Sequence, residues 1–348
     1  MSEKVIIVGG GLSGLLVAYL LSKKNIDATI LEASSRLGGR IQTTIGTLAT
    51  PLELGATWFS DMHINLMALI AELGLQKYPQ FSEGKSLFQT KSFEPPQEFY
   101  VPQAESPSYR IAGGTQNLID TLARKIPNAN IKLNAKVLSI RALDNDLWVE
   151  TSSGEKLKVN KVILCLPPQL AGTKIQFLPP LPENITKLLP TVQTWMAGAI
   201  KFVLEYEKCF WREKGYSGML YSHAGIVTEM YDHTDFEENK FGFTGFLNSG
   251  ASSYSQEVRK ELVLKQLEEL LGKEMSNPIS YFDKIWTDEF VWGGNQIIHR
   301  PHQNNGHQLL QQSYMKGKLL FSGTETATEF AGYMEGAVHS ALKIVERF

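Results

Sequence analysis

Residues 5–14 read VIIVGGGLSG, an apolar run that ends in a group of glycines. Four consecutive apolar residues, Val5–Val8, are typical of a strand that is buried on both faces. The next residues, Gly9–Gly14, satisfy the pattern G-x-G-x-x-G, and Leu15–Leu21 has the spacing of a helix. Such glycines allow a tight turn and a close approach of the backbone to a ligand, while the helix N-terminus offers unpaired N–H groups to a pyrophosphate. The stretch therefore predicts a strand, a phosphate-binding turn and a helix.

A second strand and an acidic residue follow this unit. Residues 27–32 read DATILE and predict a strand that ends at Glu32, which completes a β-turn-α-β unit of about 30 residues. Dinucleotide-binding folds carry an acid at this place, where it accepts hydrogen bonds from ribose hydroxyls and repels a 2′-phosphate. The alternative is an ordinary glycine-rich turn followed by a surface glutamate.

Composition excludes several classes of protein. The chain has 348 residues, which suggests two or three domains or one large α/β fold with an insertion. With 43% hydrophobic residues it can form a sizeable core, and a net charge of −2 gives it no bulk field for DNA, RNA or anionic lipid. Two cysteines, Cys165 and Cys209, form no disulfide framework, and no apolar run reaches the ~18 residues of a membrane span. We therefore expect a soluble, cytoplasmic protein.

The rest of the chain alternates between helical and strand-like patterns. Proline-rich stretches at 76–110 and 179–190 interrupt it. The patterns predict helices over 61–75, 115–125 and 255–272, strands within 131–164, 195–247 and 279–292, and a last strand, Leu319–Phe321, before a closing helix from about Gly332. We see no internal repeat and no low-complexity tract.

The stretch after the second strand distinguishes between dinucleotides. Residues 32–40 read EASSRLGGR, with two arginines that can neutralise a pyrophosphate and a Gly-Gly turn that lets the backbone pass close to it. This pattern resembles that of the FAD-dependent amine oxidases of the monoamine oxidase type. Residues 320–337, LFSGTETATEFAGYMEGA, resemble the closing segment of that family almost residue for residue. A helix that begins near Gly332 could stabilise negative charge at N1 and O2 of the flavin.

The resemblance implies an α/β fold. It predicts a Rossmann-like FAD-binding domain of the GR2 type, discontinuous over residues 1–60, 109–168 and 279–348. An α+β substrate domain over residues 61–108 and 169–278 would be inserted into it. Since the inserted part is shorter than in the familiar monoamine oxidases, we expect a short member with an open substrate site.

The resemblance also implies how FAD would be held. In the family, the position of Asn295 is a cysteine that binds the flavin covalently, so we expect noncovalent FAD here. The residues that match cofactor-contacting positions, or that form the phosphate-binding turn, are Gly9, Gly11, Leu12, Ser13, Gly14, Glu32, Arg36, Gly38, Gly39, Arg40, Gly55, Ala56, Thr57, Val137, Trp286, Gly323, Glu325, Gly332 and Met334.

Four residues are predicted to form the catalytic site. Lys174 resembles the family's active-site lysine beside flavin N5, although its spacing from Pro168 is one residue longer than the family pattern. Lys201 is the alternative, in a strand where an outward charge is the simpler interpretation. Tyr333 matches one tyrosine of the family's aromatic pair, and Gln296 stands where the other would be. Trp58 matches an aromatic residue beside the flavin. One ring facing one amide would tolerate a more polar substrate than two rings do.

The activity that the resemblance implies is oxidation of an amine. A hydride equivalent would pass from a C–H next to nitrogen to flavin N5, and O₂ would reoxidise the flavin to give H₂O₂. The alternatives are a flavin-dependent desaturase or dehydrogenase acting on C–C bonds, and a flavin-binding accessory protein without turnover. The expected partners are a small substrate and O₂, with no nucleic acid, membrane or metal; the histidines of loop 299–307 lack carboxylate or cysteine neighbours. The sequence indicates no oligomeric state.

Overall fold

A computed structural model describes residues 4–102, 107–127, 130–288, 290–291 and 300–348. The helices in these residues are α1 (Leu12–Lys23), α2 (Ile64–Glu72), α3 (Gln116–Arg124), α4 (Pro168–Lys174), α5 (Glu183–Leu188), α6 (Phe210–Glu213), α7 (Gln256–Leu271) and α8 (Met334–Val345). The strands are β1 (Lys4–Val8), β2 (Asp27–Leu31), β3 (Thr43–Ile45), β4 (Pro51–Glu53), β5 (Lys77–Pro79), β6 (Lys85–Gln89), β7 (Gln97–Tyr100), β8 (Tyr109–Ile111), β9 (Ile131–Lys132), β10 (Val137–Leu143), β11 (Asp146–Thr151), β12 (Lys156–Val159), β13 (Lys161–Leu164), β14 (Gln176–Leu178), β15 (Ile200–Tyr206), β16 (Tyr216–Ser222), β17 (Val227–Asp232), β18 (Phe241–Leu247), β19 (Ser280–Ile285), β20 (Ser313–Tyr314) and β21 (Leu319–Phe321). Short 3₁₀-helices cover Leu189–Thr191, Ser249–Ser253, Lys273–Ser276, Gln308–Gln311 and Thr324–Thr326.

The sheet at the centre of the fold joins the two ends of the chain. Within the described residues it has six strands in the order β20-β21-β13-β1-β2-β9. All neighbours are parallel except β20 and β21, which are antiparallel. Strand β1 lies between β13 and β2, with Val8 opposite both Leu164 and Leu31. The α/β fold predicted from the sequence is confirmed, and the predicted β1–α1–β2 unit lies in the middle of this sheet.

Strand β1 is buried on both faces, as its apolar run predicts. Val5 and Ile7 pack into a core with residues of α1, α2, α3 and α8. Ile6 and Val8 pack into a second core with residues of β10, β11 and α5. A four-stranded sheet in the order β12-β11-β10-β14 forms part of this second layer. Alternate side chains of a strand point to opposite faces, so the two cores cover both sides of the sheet.

A larger sheet lies in the middle part of the chain. Its seven strands in the described ranges run in the order β19-β15-β18-β17-β16-β6-β7. One face carries a core that includes Phe202, Leu204 and Phe243 and is covered by α7 through Val263 and Leu267. Strands β3 and β4 form a small hairpin sheet, and β5 pairs with β8.

The domain boundaries remain a prediction. Two strands, however, pair with strands of the other predicted domain. Strand β19 lies inside the range 279–348 that we assigned to the FAD-binding domain, yet it pairs with β15 of the seven-stranded sheet. Strand β14 lies inside the range 169–278 that we assigned to the substrate domain, yet it pairs with β10 in the four-stranded sheet. Both strands lie within ten residues of a predicted boundary or of a proline-rich turn, where sequence patterns define boundaries least well.

Candidate functional site

The glycine turn after β1 is constrained by close packing. Gly9 has a φ of +110°, and a Cβ on it would come within 2.6 Å of the carbonyl oxygen of Cys165. A Cβ on Gly14 would come within 2.0 Å of the Gly9 carbonyl oxygen, so only glycine lets α1 start this close to β1. Gly11 differs, because a Cβ there would stay 4.0 Å from its nearest neighbours, Gly38 and Gly39. The turn therefore holds the helix against the sheet and leaves open space beside Gly11.

That open space is part of a cavity, which we call the glycine cavity. Its wall includes most of the predicted cofactor contacts, namely Gly9, Gly11, Leu12, Ser13, Glu32, Arg36, Gly38, Gly39, Arg40, Ala56, Gly323, Glu325, Gly332 and Met334. Helices α1 and α8 both begin at this cavity, and neither has a side-chain cap at its N-terminus. Unpaired N–H groups at a helix N-terminus attract negative charge, so the two helices make the cavity suitable for an anionic ligand.

Glu32 both shapes the cavity and faces it. Its side chain is 8% exposed. One carboxylate oxygen accepts a hydrogen bond from the Gly10 N–H at 2.6 Å, and the other accepts one from the Ser34 N–H at 2.8 Å. Each oxygen of a carboxylate can accept a second hydrogen bond. Glu32 can therefore bind a ligand hydroxyl while it fixes the glycine turn.

The two arginines of residues 32–40 have different partners. Arg36 donates to backbone carbonyls, including that of Ile41 at 2.9 Å, and so orders its own loop. Burial lowers the pKa of Arg36 from its ordinary value. Arg40 contacts the carboxylate of Glu325, with 2.6 Å between Nη2 and Oε1. Its other terminal nitrogen, Nη1, is buried and has no hydrogen-bond partner among the described residues. A buried unpaired donor is costly, so Arg40 is a position where a ligand acceptor would fit.

A second cavity, which we call the aromatic cavity, continues from the first. The residues that line both cavities are Arg40, Ala56, Val291, Gly332, Tyr333 and Met334. The aromatic cavity is lined further by Gly55 and Thr57, by Lys201, and by the rings of Trp58, Trp195, Phe246 and Trp286. Trp58 donates its indole N–H to Gln80 at 2.8 Å, and Trp286 donates to the carbonyl of Leu54 at 2.8 Å. Both indoles are thereby held with their rings at the cavity wall.

Lys201 is the lysine that reaches this cavity. It lies on β15 with 2% of the residue exposed. Its Nζ donates to the carbonyl of Gly55 at 2.8 Å and to the hydroxyl of Thr57 at 2.5 Å. The same Nζ lies 4.9 Å from the centre of the Trp58 ring. Lys201 is thus a fixed nitrogen beside the aromatic cavity, and it contacts two residues of the predicted cofactor turn.

The surroundings of Lys201 bring its pKa close to neutral pH. Burial lowers the pKa of Lys201 most strongly, Glu53 and Glu229 oppose this and the cation of Arg110 adds to it, so that the pKa falls to about 7. Glu53 is buried, which raises its own pKa, and its carboxylate accepts hydrogen bonds from Thr115 and Thr43. A lysine with a pKa near 7 can exist as cation or neutral amine under physiological conditions, which is typical of functional sites.

Lys174 does not belong to the site, and this corrects the prediction from sequence. It lies exposed at the C-terminal end of α4 and lines neither cavity. Pro168 begins that helix, which carries the lysine to the surface. Lys201 was interpreted as an outward charge, but every residue of β15 is buried, so its outward face is also covered. The signal in the sequence is that Lys201 lies within the otherwise mostly apolar stretch IKFVLEY, which indicates a buried strand.

Two further predictions have a different outcome. Val137 is buried in the core of the four-stranded sheet and does not line the glycine cavity.

Gln296 and Asn295 lie outside the described residues, so their predicted roles stay predictions. His299 also lies outside them, His307 caps a 3₁₀-helix through Nδ1, and no group of potential metal ligands occurs among the residues that the structure describes.

Trp195 is a residue of the site that sequence reasoning missed. Its ring stacks on Tyr333, with 6.2 Å between centroids and 30° between planes. The Trp195 ring also stacks on the ring of His302, with 4.5 Å between centroids. A Cβ on Gly332 would come within 2.7 Å of the Trp195 Cβ, so the tryptophan packs tightly against the segment that leads into α8. Tyr333 therefore has an aromatic partner that comes from the loop before β15.

In the ranges that the structure describes, no helix is long and apolar enough to cross a membrane.

The chain is similar to known flavin-containing amine oxidases. The family model described as "Flavin containing amine oxidoreductase" matches residues 12–94 and 88–347. A probable flavin-containing monoamine oxidase A of Dictyostelium discoideum is 24% identical, over 98% of this chain and 96% of its own length. Amine oxidase [flavin-containing] B of Homo sapiens is 26% identical, over 98% of this chain and 85% of its own length.

Solved structures show the same fold. Putrescine oxidase with bound putrescine superposes with a TM-score of 0.85 at 22% identity, over 100% of this chain and 99% of that one. Cyclohexylamine oxidase from Brevibacterium oxydans gives a TM-score of 0.85 at 19% identity, with the same coverage. The predicted Rossmann-like FAD-binding fold is confirmed. The cavity residues fit FAD as well, since the turn beside Gly11 is open, two helix N-termini are uncapped and Arg40 has an unpaired donor.

Proposed function

Because this chain belongs to the family of flavin-containing amine oxidoreductases, we propose that it oxidises the C–N bond of a small amine to an imine and uses O₂ as the final electron acceptor. It is an FAD-dependent oxidoreductase of the amine oxidase type. The observation that carries the proposal is the position of Lys201, a buried nitrogen with a pKa of about 7 in the wall of the aromatic cavity. Such a group can hold or release a proton beside the reacting atoms.

The glycine cavity would hold the cofactor. Glu32 would accept hydrogen bonds from the ribose, the N-terminus of α1 would face the pyrophosphate, and Arg40 would supply its unpaired N–H. The N-terminus of α8 would stabilise negative charge on the ring system, because its N–H groups point along the helix axis. When bound, FAD supplies the two-electron chemistry, since it takes a hydride equivalent at N5 and passes the electrons to O₂, which becomes H₂O₂.

The aromatic cavity would hold the substrate. The rings of Trp58, Trp195, Phe246 and Tyr333 exclude water and contact the apolar part of an amine. Lys201 is held by Gly55 and Thr57, so its charge is placed at a fixed point of this wall. As a cation it would favour negative charge that develops on O₂, and as a neutral amine it would accept a proton.

Product analysis tests the proposal. In air, the FAD-loaded protein should convert an amine R–CH₂–NH₂, O₂ and H₂O to aldehyde, NH₃ and H₂O₂ in equal amounts. The measurement is peroxide and ammonia release across monoamines, diamines and amino acids. If the substrate that is consumed instead gains a C–C double bond and releases no ammonia, the protein is a desaturase.

We predict that FAD is bound noncovalently. Asn295 stands where the resemblance places the attachment cysteine, and the cysteine that lines the glycine cavity, Cys165, has its pKa raised to about 12 by burial. Its thiol is thus protonated and a poor nucleophile. Acid precipitation should release all yellow colour into the supernatant as FAD. Flavin that stays in the pellet, or FMN in the supernatant, would contradict this prediction.

The stack of Trp195 and Tyr333 should affect substrate reduction rather than cofactor binding. Tyr333→Ala or Trp195→Ala removes one ring of a packed pair, so the rate of anaerobic flavin reduction should fall by roughly 10-fold or more. The FAD content, measured by absorbance, should stay near that of the wild type. Phe93→Ala serves as the control, since Phe93 is an exposed ring that lines neither cavity. Unchanged reduction in both variants would remove the stack from the site.

A further inference from the structure

Asp288 is an acid in the wall of the glycine cavity that has one carboxylate oxygen without a partner. It lies three residues after the end of β19. Lys284 of that strand holds the other oxygen, with 3.0 Å between Nζ and Oδ2. Oδ1 is buried and accepts no hydrogen bond from the residues that the structure describes. A buried carboxylate oxygen without a donor is unfavourable, so Oδ1 is a position that a ligand donor would complete.

The surroundings of Asp288 hold it in place without using Oδ1. The backbone carbonyl of Asp288 accepts the N–H of Val291 at 3.1 Å, which closes a turn at the cavity wall. The Lys284 Nζ that pairs with Oδ2 also lies 4.3 Å from the centre of the Trp286 ring. The indole of Trp286 is itself fixed by its hydrogen bond to Leu54. Asp288 is therefore ordered by its backbone and by Lys284, and Oδ1 stays available.

The arginine on the same wall does not satisfy this oxygen. Burial lowers the pKa of Arg36, and the negative charges of Asp288 and Glu32 oppose that shift. Arg36 therefore lies close enough to Asp288 for their charges to interact. Its guanidinium nevertheless donates to backbone carbonyls of its own loop, among them that of Ile41 at 2.9 Å. The partner of Oδ1 is thus expected from a bound ligand.

The place of Asp288 in the two cavities selects the part of FAD that it would meet. Trp286 lines the aromatic cavity and Asp288 lines the glycine cavity. Val291 lines both, so this short segment lies where the cavities join. With the ribose at Glu32 and the ring system at the aromatic cavity, the ribityl chain of FAD would cross this junction. Ribityl hydroxyls can donate to a carboxylate, whereas a pyrophosphate offers acceptors only.

We propose that Asp288 binds a ribityl hydroxyl of FAD through Oδ1 and that Lys284 is the residue that positions it. The ion pair with Lys284 has a second effect, because it offsets a negative charge that would otherwise repel the pyrophosphate of the same cofactor. The inference rests on the proposed position of FAD in the glycine cavity. It does not depend on which substrate is oxidised.

Titration of the apo-protein with FAD and with ADP tests the proposal, because ADP has the ribose and the pyrophosphate but no ribityl chain. Asp288→Ala should raise the Kd for FAD by roughly 10- to 100-fold, as expected for loss of a charge-assisted hydrogen bond, and leave the Kd for ADP unchanged. Asp288→Asn keeps a neutral acceptor and should have a smaller effect. Glu32→Gln should raise the Kd for both ligands.

Two further measurements separate the roles of the pair. FMN has the ribityl chain but no adenosine, so its binding should weaken in Asp288→Ala and not in Glu32→Gln. Lys284→Met should raise the Kd for FAD by a smaller factor than Asp288→Ala does. Lys284→Arg keeps the cation and should restore most of the affinity.

A matched control and the ADP affinity make the outcome decisive. Asp146→Ala loses an ion pair with Lys158 on β11, lines neither cavity, and should bind FAD and ADP as the wild type does. Unchanged ADP binding also shows that a variant is folded. If Asp288→Ala binds FAD as tightly as the wild type or more tightly, or if Asp288→Asn weakens ADP as much as FAD, this inference is wrong. If Glu32→Gln weakens neither ligand, the proposed position of FAD itself fails.

Discussion

Lys201→Met should slow the reaction of the reduced protein with O₂ by roughly 100- to 1,000-fold, the usual cost of losing one fixed charge-stabilising group. The lysine nitrogen is held by the Gly55 carbonyl and the Thr57 hydroxyl, so its charge is fixed in the cavity wall. Methionine fills similar space without a charge. Flavin reduction by the amine should change less than reoxidation does. Stopped-flow rates for the two half-reactions, measured separately, check this.

A matched control makes the lysine prediction specific. Lys174→Met is the matched control, because Lys174 is exposed and lines neither cavity. It should equal the wild type in both half-reactions. If Lys174→Met slows reoxidation and Lys201→Met does not, the placement of the catalytic lysine is wrong.

The same reaction should depend on pH in a defined direction. Burial lowers the pKa of Lys201 to about 7, so the side chain is a cation below that pH and a neutral amine above it. If the cation assists O₂, the reoxidation rate of the wild type should fall as the pH rises through about 7. Lys201→Met should show no such step. A wild-type rate that rises through this range would assign the lysine the role of a base.

Glu32→Gln should weaken FAD binding by roughly 10- to 100-fold, as expected for loss of a charge-assisted hydrogen bond. In the wild type, both carboxylate oxygens accept backbone N–H groups, from Gly10 and Ser34. The amide of glutamine has one acceptor, and its NH₂ group would face an N–H donor. The glycine turn and the ribose contact should therefore weaken together, while the fold is kept by the sheet.

Fluorescence titration of the apo-protein with FAD measures this effect. Glu155→Gln is a suitable control, since that acid pairs with Lys132 near the surface and lines neither cavity. The Glu32 variant should regain its colour with excess FAD. Equal FAD affinity in Glu32→Gln and the wild type would remove Glu32 from the cofactor site.

The glycine turn and its strand were predictable because their signals are local. An apolar run, glycines at fixed spacing and an acid at the end of the next strand all lie within residues 5–32, and each reflects a short-range requirement. Gly14, for example, is needed because any Cβ would meet the carbonyl of Gly9, only five residues away. The same holds for the segment 320–337, in which strand β21 is followed by the 3₁₀-helix Thr324–Thr326 and then by the start of α8.

Features that depend on distant contacts were not predictable in this way. Whether Lys201 faces solvent depends on residues 55–58, which cover the face of β15 that would otherwise be exposed. The pairing of Trp195 with Tyr333 joins two loops that are far apart in the chain. The neighbours of Lys201 within the sheet, Phe246 and Lys284, follow from the register of three strands. No periodicity within a single segment carries that information, since strand register is set by tertiary packing.

We propose that this protein transfers electrons from an amine to FAD and then to O₂. The most direct measurement is to mix the FAD-loaded protein with monoamines, diamines, polyamines and amino acids in turn in the absence of air, follow the flavin absorbance, and then admit O₂. The yellow colour should be lost without air and return with O₂, with one H₂O₂ formed for each flavin reoxidised. A flavin that stays oxidised with every amine, amino acid and polyamine tested would contradict the account.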